Sequence, residues 1–473
     1  MFFLRQNRLH TCPRLPDKPA WLDQNFVRIP FYLPDIQCIP VRRKNKGKRG
    51  LGSVFLYMYY EHRTRIMKNR AVERLVDLRR ARQLVQSLDS LEVERIPSGK
   101  AAGRITAGDI QARCSCPTLD ASLKDGFAVR GRDISSACRE RPVALTLVGS
   151  VAAGGHCDIT VKMGQAVRIM TGAPIPAGAD AVLASEFAET FGDQVLALAD
   201  AEPGRNILAC GCDVTAGRNI IDKGTRMFPG HLGLLAAAGV AEIQVFRQPK
   251  VLIIATGSEL AVPGEPIASG QVAASNLVTL TAETRAMGIH ADHCIIRDDL
   301  HLLQEKIAPL IEKYDVILTC GGVLDGDKDF TMHAMDNLDV APVFHRVRVG
   351  PGKGVCLGMK GTTCIFNLPG GPPSNHVAFL LLAKPGIHRL SGLADPFTEY
   401  VSARLDRTLT GQEGWTQIFY GLLGSDGDLR TVIPLEGIGR LQKMAEADCL
   451  IELPENQACA QSGSIIQKVW KIR

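Results

Sequence analysis

Three glycine-containing segments of this sequence combine polar side chains with backbone groups that are free to bind a ligand. They are Thr256-Gly-Ser-Glu259, residues 320–329 (CGGVLDGDKD) and residues 368–374 (LPGGPPS). Glycine lets the backbone approach a ligand closely, and the N–H groups of such turns bind anionic oxygen atoms. The segments therefore predict a site for an anionic ligand.

Carboxylates lie in or beside the same segments and supply the oxygen ligands that a divalent cation prefers. These acids are Glu259, Asp298, Asp325, Asp327 and Asp329. Lys353, within the segment GPGK, adds a cation for phosphate. The set indicates a nucleotide-like ligand with a metal ion. Neither GxGxxG after a strand nor GxxxxGK[ST] occurs, so a Rossmann cofactor site and a P-loop are disfavoured.

The elements that must position these segments alternate between strand and helix from Lys250 onward. Continuous apolar runs predict strands buried on both faces, and helical spacing predicts the helices between them. The predicted strands are residues 251–255, 294–296, 316–319 and 364–367, and the predicted helices are residues 276–287 and one from an Asp298-Asp299 cap to Lys313. This order predicts a parallel sheet with helices on both faces, where ligands bind beyond the carboxyl ends of the strands.

Short strands separated by Gly, Ala and Pro turns predict mixed β structure before this sheet and a small β domain after it. Helices are predicted over residues 72–91, with Leu75, Leu78, Ala81 and Leu84 on one face, and over residues 231–238. We expect a multidomain α/β protein in five parts. These are a basic, poorly ordered extension (1–66), a helical and β linker domain (67–129 with 214–248), a small β-rich domain (130–213), the parallel αβα domain (249–393) and a C-terminal β domain (394–473).

Composition narrows the class of protein. The 473 residues are 45% hydrophobic and 22% charged, which is typical of soluble globular proteins, and no apolar run approaches the roughly 20 residues that span a bilayer. Residues 1–70 carry 15 Lys/Arg against 4 Asp/Glu. Basic segments can bind nucleic acid or lipid, but we interpret this one as an extension, with no nucleic-acid or membrane partner. The 14 cysteines form no CxxC pair. We therefore interpret them as reduced thiols and expect a cytoplasmic protein.

Eight ordered segments resemble those of one protein family. Residues 120–129 (DASLKDGFAV) are similar to its DNSAMDGYAV, residues 167–182 (VRIMTGAPIPAGADAV) to its most recognisable motif, and residues 204–217 (GRNILACGCDVTAG) to its G-x-N-I-R-x-x-G-E-D pattern. ATGSEL, GQVAASN, CGGVLDGDKDF, VRVGPGKG and NLPGGPPSN match further segments in the correct order. On these motifs the chain, over about residues 70–473, is identified as a member of the molybdenum insertase family, the MoeA and gephyrin E-domain type.

The resemblance implies an elongated homodimer with four domains per protomer, of which the parallel αβα domain binds molybdopterin. It also implies a magnesium-dependent molybdopterin molybdenumtransferase. Such an enzyme forms the molybdenum cofactor by inserting molybdate into adenylylated molybdopterin, and it releases AMP. Molybdopterin adenylyltransferase and client molybdoenzymes are the implied protein partners. A metal ion held by carboxylates can neutralise the charge of a pyrophosphate bond that is to be cleaved. An oxyanion such as molybdate needs cationic, hydroxyl and N–H donors.

Roles for individual residues follow at the matching positions. The residues implied in catalysis are Asp125, Thr171, Asp213, Glu259, Asp298 and Asp329. Metal and phosphate handling is implied for Glu259, Asp298 and Asp329, and the other three are expected to close the cleft from the partner protomer. The residues implied to bind the adenylate, the pterin, molybdate or phosphate are Gly321, Gly322, Gly326, Arg346, Lys353, Pro369, Gly370 and Ser374. Arg346 and Ser374 are the molybdate candidates. Asp298 also suits a helix N-cap.

Several positions depart from the family pattern and change donors near the expected oxyanion and pterin sites. They are Cys212, Ser258, Ala274, Leu324, Asp325, Gly350 and Gly371. Two alternatives to the molybdenum-inserting enzyme therefore stay open. One is a non-catalytic paralogue that binds molybdopterin and delivers cofactor to a client enzyme, and the other is an enzyme that inserts tungsten.

Overall fold

The computed structural model describes residues 73–322, 330–397, 400–437 and 439–472. The predictions for the extension, and those that name Gly326 and Asp329, lie outside these residues. So do Leu324, Asp325 and Asp327. Within the described ranges, no helix has the length and apolar character that crossing a membrane requires.

The first described element is a short edge strand, and the predicted helix begins only after it. Asp77 follows β1 (Glu73–Val76) and caps α1 (Leu78–Gln86), because its carboxylate accepts a hydrogen bond from the N–H of Arg80 at 2.6 Å. The apolar face of α1 is buried as predicted, but Leu75 lies in β1 and is 38% exposed. The helix prediction was wrong before residue 78 because an N-cap aspartate ends the extended segment there.

Residues 93–246 form a six-stranded sheet and several short strand pairs. The strand order in the larger sheet is β8-β5-β7-β6-β10-β9. The elements are β2 (Val93–Pro97), β3 (Ile110–Gln111), β4 (Ala121–Ser122), β5 (Gly126–Val129), β6 (Val143–Val151), β7 (Gln165–Ile169), β8 (Ala181–Ala184), β9 (Ala188–Phe191), β10 (Gln194–Ala197), β11 (Ile207–Leu208), β12 (Asn219–Ile221), α2 (Pro229–Ala237) and β13 (Glu242–Phe246). Strand β5 is buried throughout, since Phe127 faces one apolar cluster and Ala128 the other. It therefore fixes the position of Asp125 immediately before it.

A seven-stranded sheet of order β1-β19-β21-β22-β18-β14-β17 forms the centre of the α/β domain. Its elements are β14 (Val251–Thr256), β15 (Leu260–Ala261), β16 (Val272–Ala273), α3 (Ser275–Ala286), β17 (Ala291–Ile296), α4 (Leu300–Ile311), β18 (Val316–Cys320), α5 (Phe330–Asn337), β19 (Ala341–Val347), β20 (Val349–Gly350), β21 (Cys356–Lys360), β22 (Thr363–Leu368), α6 (Pro372–Ala378), a π-helical stretch (Phe379–Ala383) and α7 (Lys384–Leu390). Ile253 and Ile254 face opposite apolar clusters. The apolar run of β14 therefore reflects burial on both faces, as predicted.

Strand β21 departs from the parallel sheet that the sequence predicted. It runs antiparallel to both β19 and β22, whereas the pairs β14–β17, β14–β18 and β18–β22 are parallel. Only Gly361 and Thr362 separate β21 from β22, and Gly361 has a φ of 59°. A two-residue connection can join only antiparallel strands, and glycine adopts the required positive φ without strain.

The C-terminal part is a small β domain, as predicted. Its elements are β23 (Tyr400–Leu405), β24 (Leu409–Thr410), β25 (Thr416–Asp426), β26 (Leu429–Pro434), α8 (Arg440–Glu446), β27 (Cys449–Leu453), β28 (Cys459–Ala460) and β29 (Ile465–Lys471). Strand β25 pairs with both β26 and β27, so β25, β26, β23, β29 and β27 close into a ring. Closure removes the exposed strand edges that an open sheet presents. The helix α8 was not predicted.

Candidate active site

Three of the predicted turns meet at one edge of the α/β sheet. Strands β14, β18 and β22 are neighbours and run parallel, so their carboxyl ends share that edge. The N–H of Gly321 donates to the carbonyl of Leu368 at 3.0 Å. A Cβ added at Gly370 would lie 3.6 Å from the Cα of Gly321. The structure thus brings together the glycine turns that the sequence placed in one site.

Gly321 and Gly322 have no room for a side chain. Gly321 has a φ of 118°, and a Cβ there would lie 2.8 Å from the hydroxyl oxygen of Thr256. A Cβ at Gly322 would lie 2.5 Å from the hydroxyl oxygen of Thr331. Glycine is therefore required at both positions, as expected where a backbone turns sharply beside a ligand.

Glu259 and Asp298 form a close acidic pair at the ends of β14 and β17. Burial raises the pKa of Asp298, the negative charge of Glu259 raises it further, and the N–H of Ser258 partly opposes both. Both carboxylate oxygens of Glu259 fold back toward Gly257, where a Cβ would lie 2.9 Å from each. Two interacting acids, one of them with a raised pKa, suit a site for a divalent cation.

The third predicted metal ligand, Asp329, lies outside the described residues. Within the described ranges, no group of three or more His, Cys, Asp or Glu residues is arranged to hold a metal ion. The cysteines there are free thiols. The Glu259–Asp298 pair therefore supplies part of a ligand set, and the remaining ligands stay a prediction.

The N-cap of α4 is Asp299 and not Asp298. The carboxylate of Asp299 accepts a hydrogen bond from the N–H of Leu302 at 2.8 Å and caps α4. Asp298 is left half-buried beside Glu259. The two adjacent aspartates therefore have separate roles.

Two asparagines that sequence reasoning did not single out hold the turn after β22. The side-chain amide of Asn375, which is 1% exposed, donates to the carbonyl of Pro369 at 2.9 Å. The amide of Asn276 donates to the carbonyl of Gly370 at 2.8 Å. Both asparagines end segments that resemble the family motifs, AASN and PPSN. Their shared place at the end of these two segments was the signal from which the sequence could have identified them.

Arg346, Lys353 and Ser374 lie in three different segments, which are β19, the segment after β20 and the first turn of α6. Arg346 is half-buried in β19 with a φ of 72°. The ammonium of Lys353 is exposed and lies 5.3 Å from the ring centre of Trp415 in the C-terminal domain. Ser374 occupies the first turn of α6, and a Cβ at Gly352 would lie 3.6 Å from its carbonyl oxygen. The segment that carries Lys353 therefore packs against the start of α6.

Asp125 and Thr171 form a second group at the edge of the six-stranded sheet. Thr171 donates to one carboxylate oxygen of Asp125 through its N–H at 2.7 Å and through its hydroxyl at 2.8 Å. The N–H bond and then the hydroxyl bond lower the pKa of Asp125. Both residues are exposed.

Asp213 lies in a separate exposed turn, where its N–H donates to the carbonyl of Cys116 at 3.1 Å. Among the described residues, no hydrogen bond or ion pair joins Asp125, Thr171 or Asp213 to the pair of Glu259 and Asp298. The sequence-predicted site residues thus fall into two groups within one chain.

The fold is that of a multidomain α/β protein, and its candidate site lies at the carboxyl edge of a largely parallel sheet. The family models described as MoeA N-terminal region (domain I and II), probable molybdopterin binding domain and MoeA C-terminal region (domain IV) match residues 73–239, 252–389 and 402–469. The chain belongs to the MoeA family.

Known relatives agree with this assignment over most of the chain. Molybdopterin molybdenumtransferase 2 of Mycobacterium tuberculosis (strain ATCC 25618 / H37Rv) is 34% identical over 389 residues, which cover 80% of this chain and 94% of that protein. A molybdopterin molybdenumtransferase of Staphylococcus aureus (strain MSSA476) is 28% identical over 412 residues, or 86% and 96%. The crystal structure of the molybdopterin biosynthesis MoeA protein from Pyrococcus horikosii superposes with a TM-score of 0.71 at 31% identity and covers 84% of this chain and 99% of that one. The predicted family and fold class are confirmed.

Proposed function

We propose that this chain is a molybdopterin molybdenumtransferase, which inserts molybdate into adenylylated molybdopterin and releases AMP. The observation that carries the proposal is the shared sheet edge. The acidic pair of Glu259 and Asp298 and the tightly turned backbone at Gly321 and Gly370 all follow neighbouring parallel strands at that edge. The similarity to named molybdopterin molybdenumtransferases over most of the chain supports it.

Magnesium fits the donor set at this edge. Glu259 and Asp298, with Asp329, would hold it, since hard cations take carboxylate oxygens. Burial and then the charge of Glu259 raise the pKa of Asp298, and a bound cation would favour its charged form. When bound, the ion neutralises charge on the pyrophosphate oxygens. The carboxylates of Glu259 and Asp298 would hold the ion at this edge of the sheet.

The backbone and the nearby cations would bind the rest of the substrate. The N–H groups of Gly322 and Gly370 would bind phosphate and pterin oxygens, and Gly326 and Pro369 would line the same pocket. Arg346 and Ser374 would bind molybdate, while Lys353, exposed beside Trp415, is able to reach phosphate.

A second copy of the chain would complete the cleft. Asp125, Thr171 and Asp213 are exposed, and among the described residues no hydrogen bond or ion pair joins them to the acidic pair, which supports their action on a partner's site. We propose a cytoplasmic homodimer that receives its substrate from molybdopterin adenylyltransferase and passes the cofactor to client molybdoenzymes.

The second candidate function is a non-catalytic molybdopterin carrier, favoured by the missing side chains at Gly350 and Gly371. A Cβ at Gly371 would meet nothing within 4 Å, so Gly371→Asn, which restores the family residue, is sterically free. A Cβ at Gly350 would meet only the flexible side chain of Gln417 at 3.3 Å and beyond. If the wild type binds but does not react, both reversions test whether these positions suppress insertion.

The deciding experiment is conversion of adenylylated molybdopterin by the purified full-length chain with magnesium and either molybdate or tungstate. AMP release, together with recovery of activity in a cofactor-dependent apoenzyme, establishes the insertase and identifies its oxyanion. Tight adenylate binding without AMP release under either oxyanion supports the carrier instead.

A further inference from the structure

A buried hydrogen-bonded chain of side chains lies behind the turn after β22. Nε2 of His376 lies 3.1 Å from Oε1 of Glu283, and Nδ1 lies 3.2 Å from the hydroxyl of Tyr420. His376 is 5% exposed and Tyr420 6%. The ammonium of Lys384 lies 3.8 Å from the other oxygen of Glu283. Tyr420 belongs to β25 of the C-terminal domain, whereas the other three residues belong to α3, α6 and α7 of the α/β domain.

The charges of these hydrogen-bonded side chains decide which atoms donate the hydrogen bonds. Burial acts to raise the pKa of Glu283, but the hydrogen bond from His376 and the charge of Lys384 outweigh it and hold the pKa below its usual value. The carboxylate is therefore ionised and accepts a hydrogen bond from the Nε2–H of His376. Burial and then the charge of Glu283 raise the pKa of Tyr420, which keeps its hydroxyl protonated. That hydroxyl has a single proton, which it shares between two acceptors in reach, Nδ1 of His376 at 3.2 Å and the carbonyl of Pro373 at 3.4 Å.

The carbonyls of this turn are held by side chains from three directions. Asn375 binds the carbonyl of Pro369, Asn276 binds that of Gly370, and Tyr420 reaches that of Pro373. Asn276 and Glu283 are seven residues apart on α3 and therefore lie on the same helical face. With its carbonyls fixed, the turn presents its N–H groups and the Ser374 hydroxyl in one orientation.

We propose that Tyr420 and His376 are positioning residues, through which the C-terminal domain fixes the oxyanion-binding turn at the start of α6. This rests on the proposed role of that turn in binding molybdate and adenylylated molybdopterin. Neither side chain touches the substrate. Tyr420 acts on the carbonyl of Pro373, one residue before Ser374, and His376 orients Tyr420 through the charge of Glu283.

The test compares Tyr420→Phe with Tyr400→Phe in the full-length chain. Tyr400 is the matched control because it lies in the same small domain, is 43% exposed and makes ring contacts with Trp470. Loss of one hydrogen bond to the turn is expected to raise KM for molybdate, and the dissociation constant of adenylylated molybdopterin, about fivefold in Tyr420→Phe. The value of kcat stays within about twofold, because the reacting groups remain. Tyr400→Phe leaves every constant unchanged.

A second variant guards against misfolding of the first. His376→Asn keeps an amide near the place of Nδ1 and keeps the Tyr420 hydroxyl, but it loses the bond to Glu283, so a smaller rise in the same constants is expected. Equal constants for Tyr420→Phe and Tyr400→Phe would overturn the inference. The inference would also be overturned if kcat fell and a thermal melt showed that the smaller amount of folded protein accounts for the whole decrease. The dissociation constant is measurable without turnover, so an inactive wild type refutes the proposed enzyme activity while the positioning role is still judged by binding.

Discussion

At the scale of single residues, the neighbours Asp298 and Asp299 show how one position in the chain separates a site acid from a structural one. Asp299 has its carboxylate bound by a helix N–H, whereas Asp298 faces the charge of Glu259 and has a raised pKa. A carboxylate whose charged form is destabilised in the free protein gains most when a cation arrives. Asp298, whose charged form is destabilised in the free protein, is therefore the better metal ligand of the two aspartates.

The first prediction concerns Asp298→Asn. Because the folded-state pKa of Asp298 is raised, the stability it contributes is present below its ordinary pKa of 3.8 and declines as the pH rises through the raised value. Without magnesium, the variant should therefore melt no lower than the wild type at pH 7, and any difference should vanish at acidic pH. Magnesium should raise the melting temperature of the wild type only, and insertion should fall by about 10²-fold or more. Insertion at the wild-type rate would remove Asp298 from the site.

The second prediction concerns the hydroxyl that binds Asp125. Thr171→Val keeps the N–H bond but loses the hydroxyl, so the lowered pKa of Asp125 should rise part of the way back. We expect the activity to fall about tenfold and its acidic limb to move to higher pH. Thr171→Ser, which restores the hydroxyl, should recover both. A pH–rate profile of the three proteins checks this, and identical profiles would show that the hydroxyl has no part in the reaction.

At the scale of elements, the cap of α4 gives the third prediction. Asp299→Ala removes the acceptor for the N–H of Leu302 and should cost about 1 kcal/mol of unfolding free energy, which lowers the melting temperature by a few degrees. The magnesium response and the rate of insertion should not change. The variant thus mirrors Asp298→Asn one residue away, and urea unfolding with an activity assay separates the two. If the folded Asp299→Ala protein lost its activity, Asp299 would belong to the site and the structural role that we give it would be wrong.

Local signals were enough to predict some elements but not others. The apolar runs of β14, β18 and β22 and the glycine turns after them could be read directly, because burial on both faces and sharp turning act within a few residues. The edge strand β1 could not be predicted, since it exists by pairing with β19 far along the chain. The same limit applies to Tyr420, whose partner in the turn after β22 lies in a distant segment. Tertiary contacts decide such elements, and no local pattern encodes them.

At the scale of the whole molecule, the two groups of candidate residues pose a geometric question. The acidic pair lies at the edge of the α/β sheet, and Asp125 with Thr171 lies in the six-stranded sheet, with no hydrogen bond or ion pair between the two groups in the described residues. If both groups act on one substrate, we propose that the second comes from another copy. A two-fold dimer would then hold two equal sites, each built from both chains.

The fourth prediction tests this arrangement by mixing inactive chains. Glu259→Gln and Asp125→Asn should each abolish insertion alone. In a mixed dimer, one site carries both changes and the other carries neither. Because random exchange makes half of the dimers mixed and each has one intact site, activity should return to about a quarter of the wild-type value. Mixing Glu259→Gln with Asp298→Asn is the matched control, since both changes lie in the same domain and every site keeps a defect. No recovery in the first mixture, with chain exchange verified by mass spectrometry, would place all the acting residues within one chain.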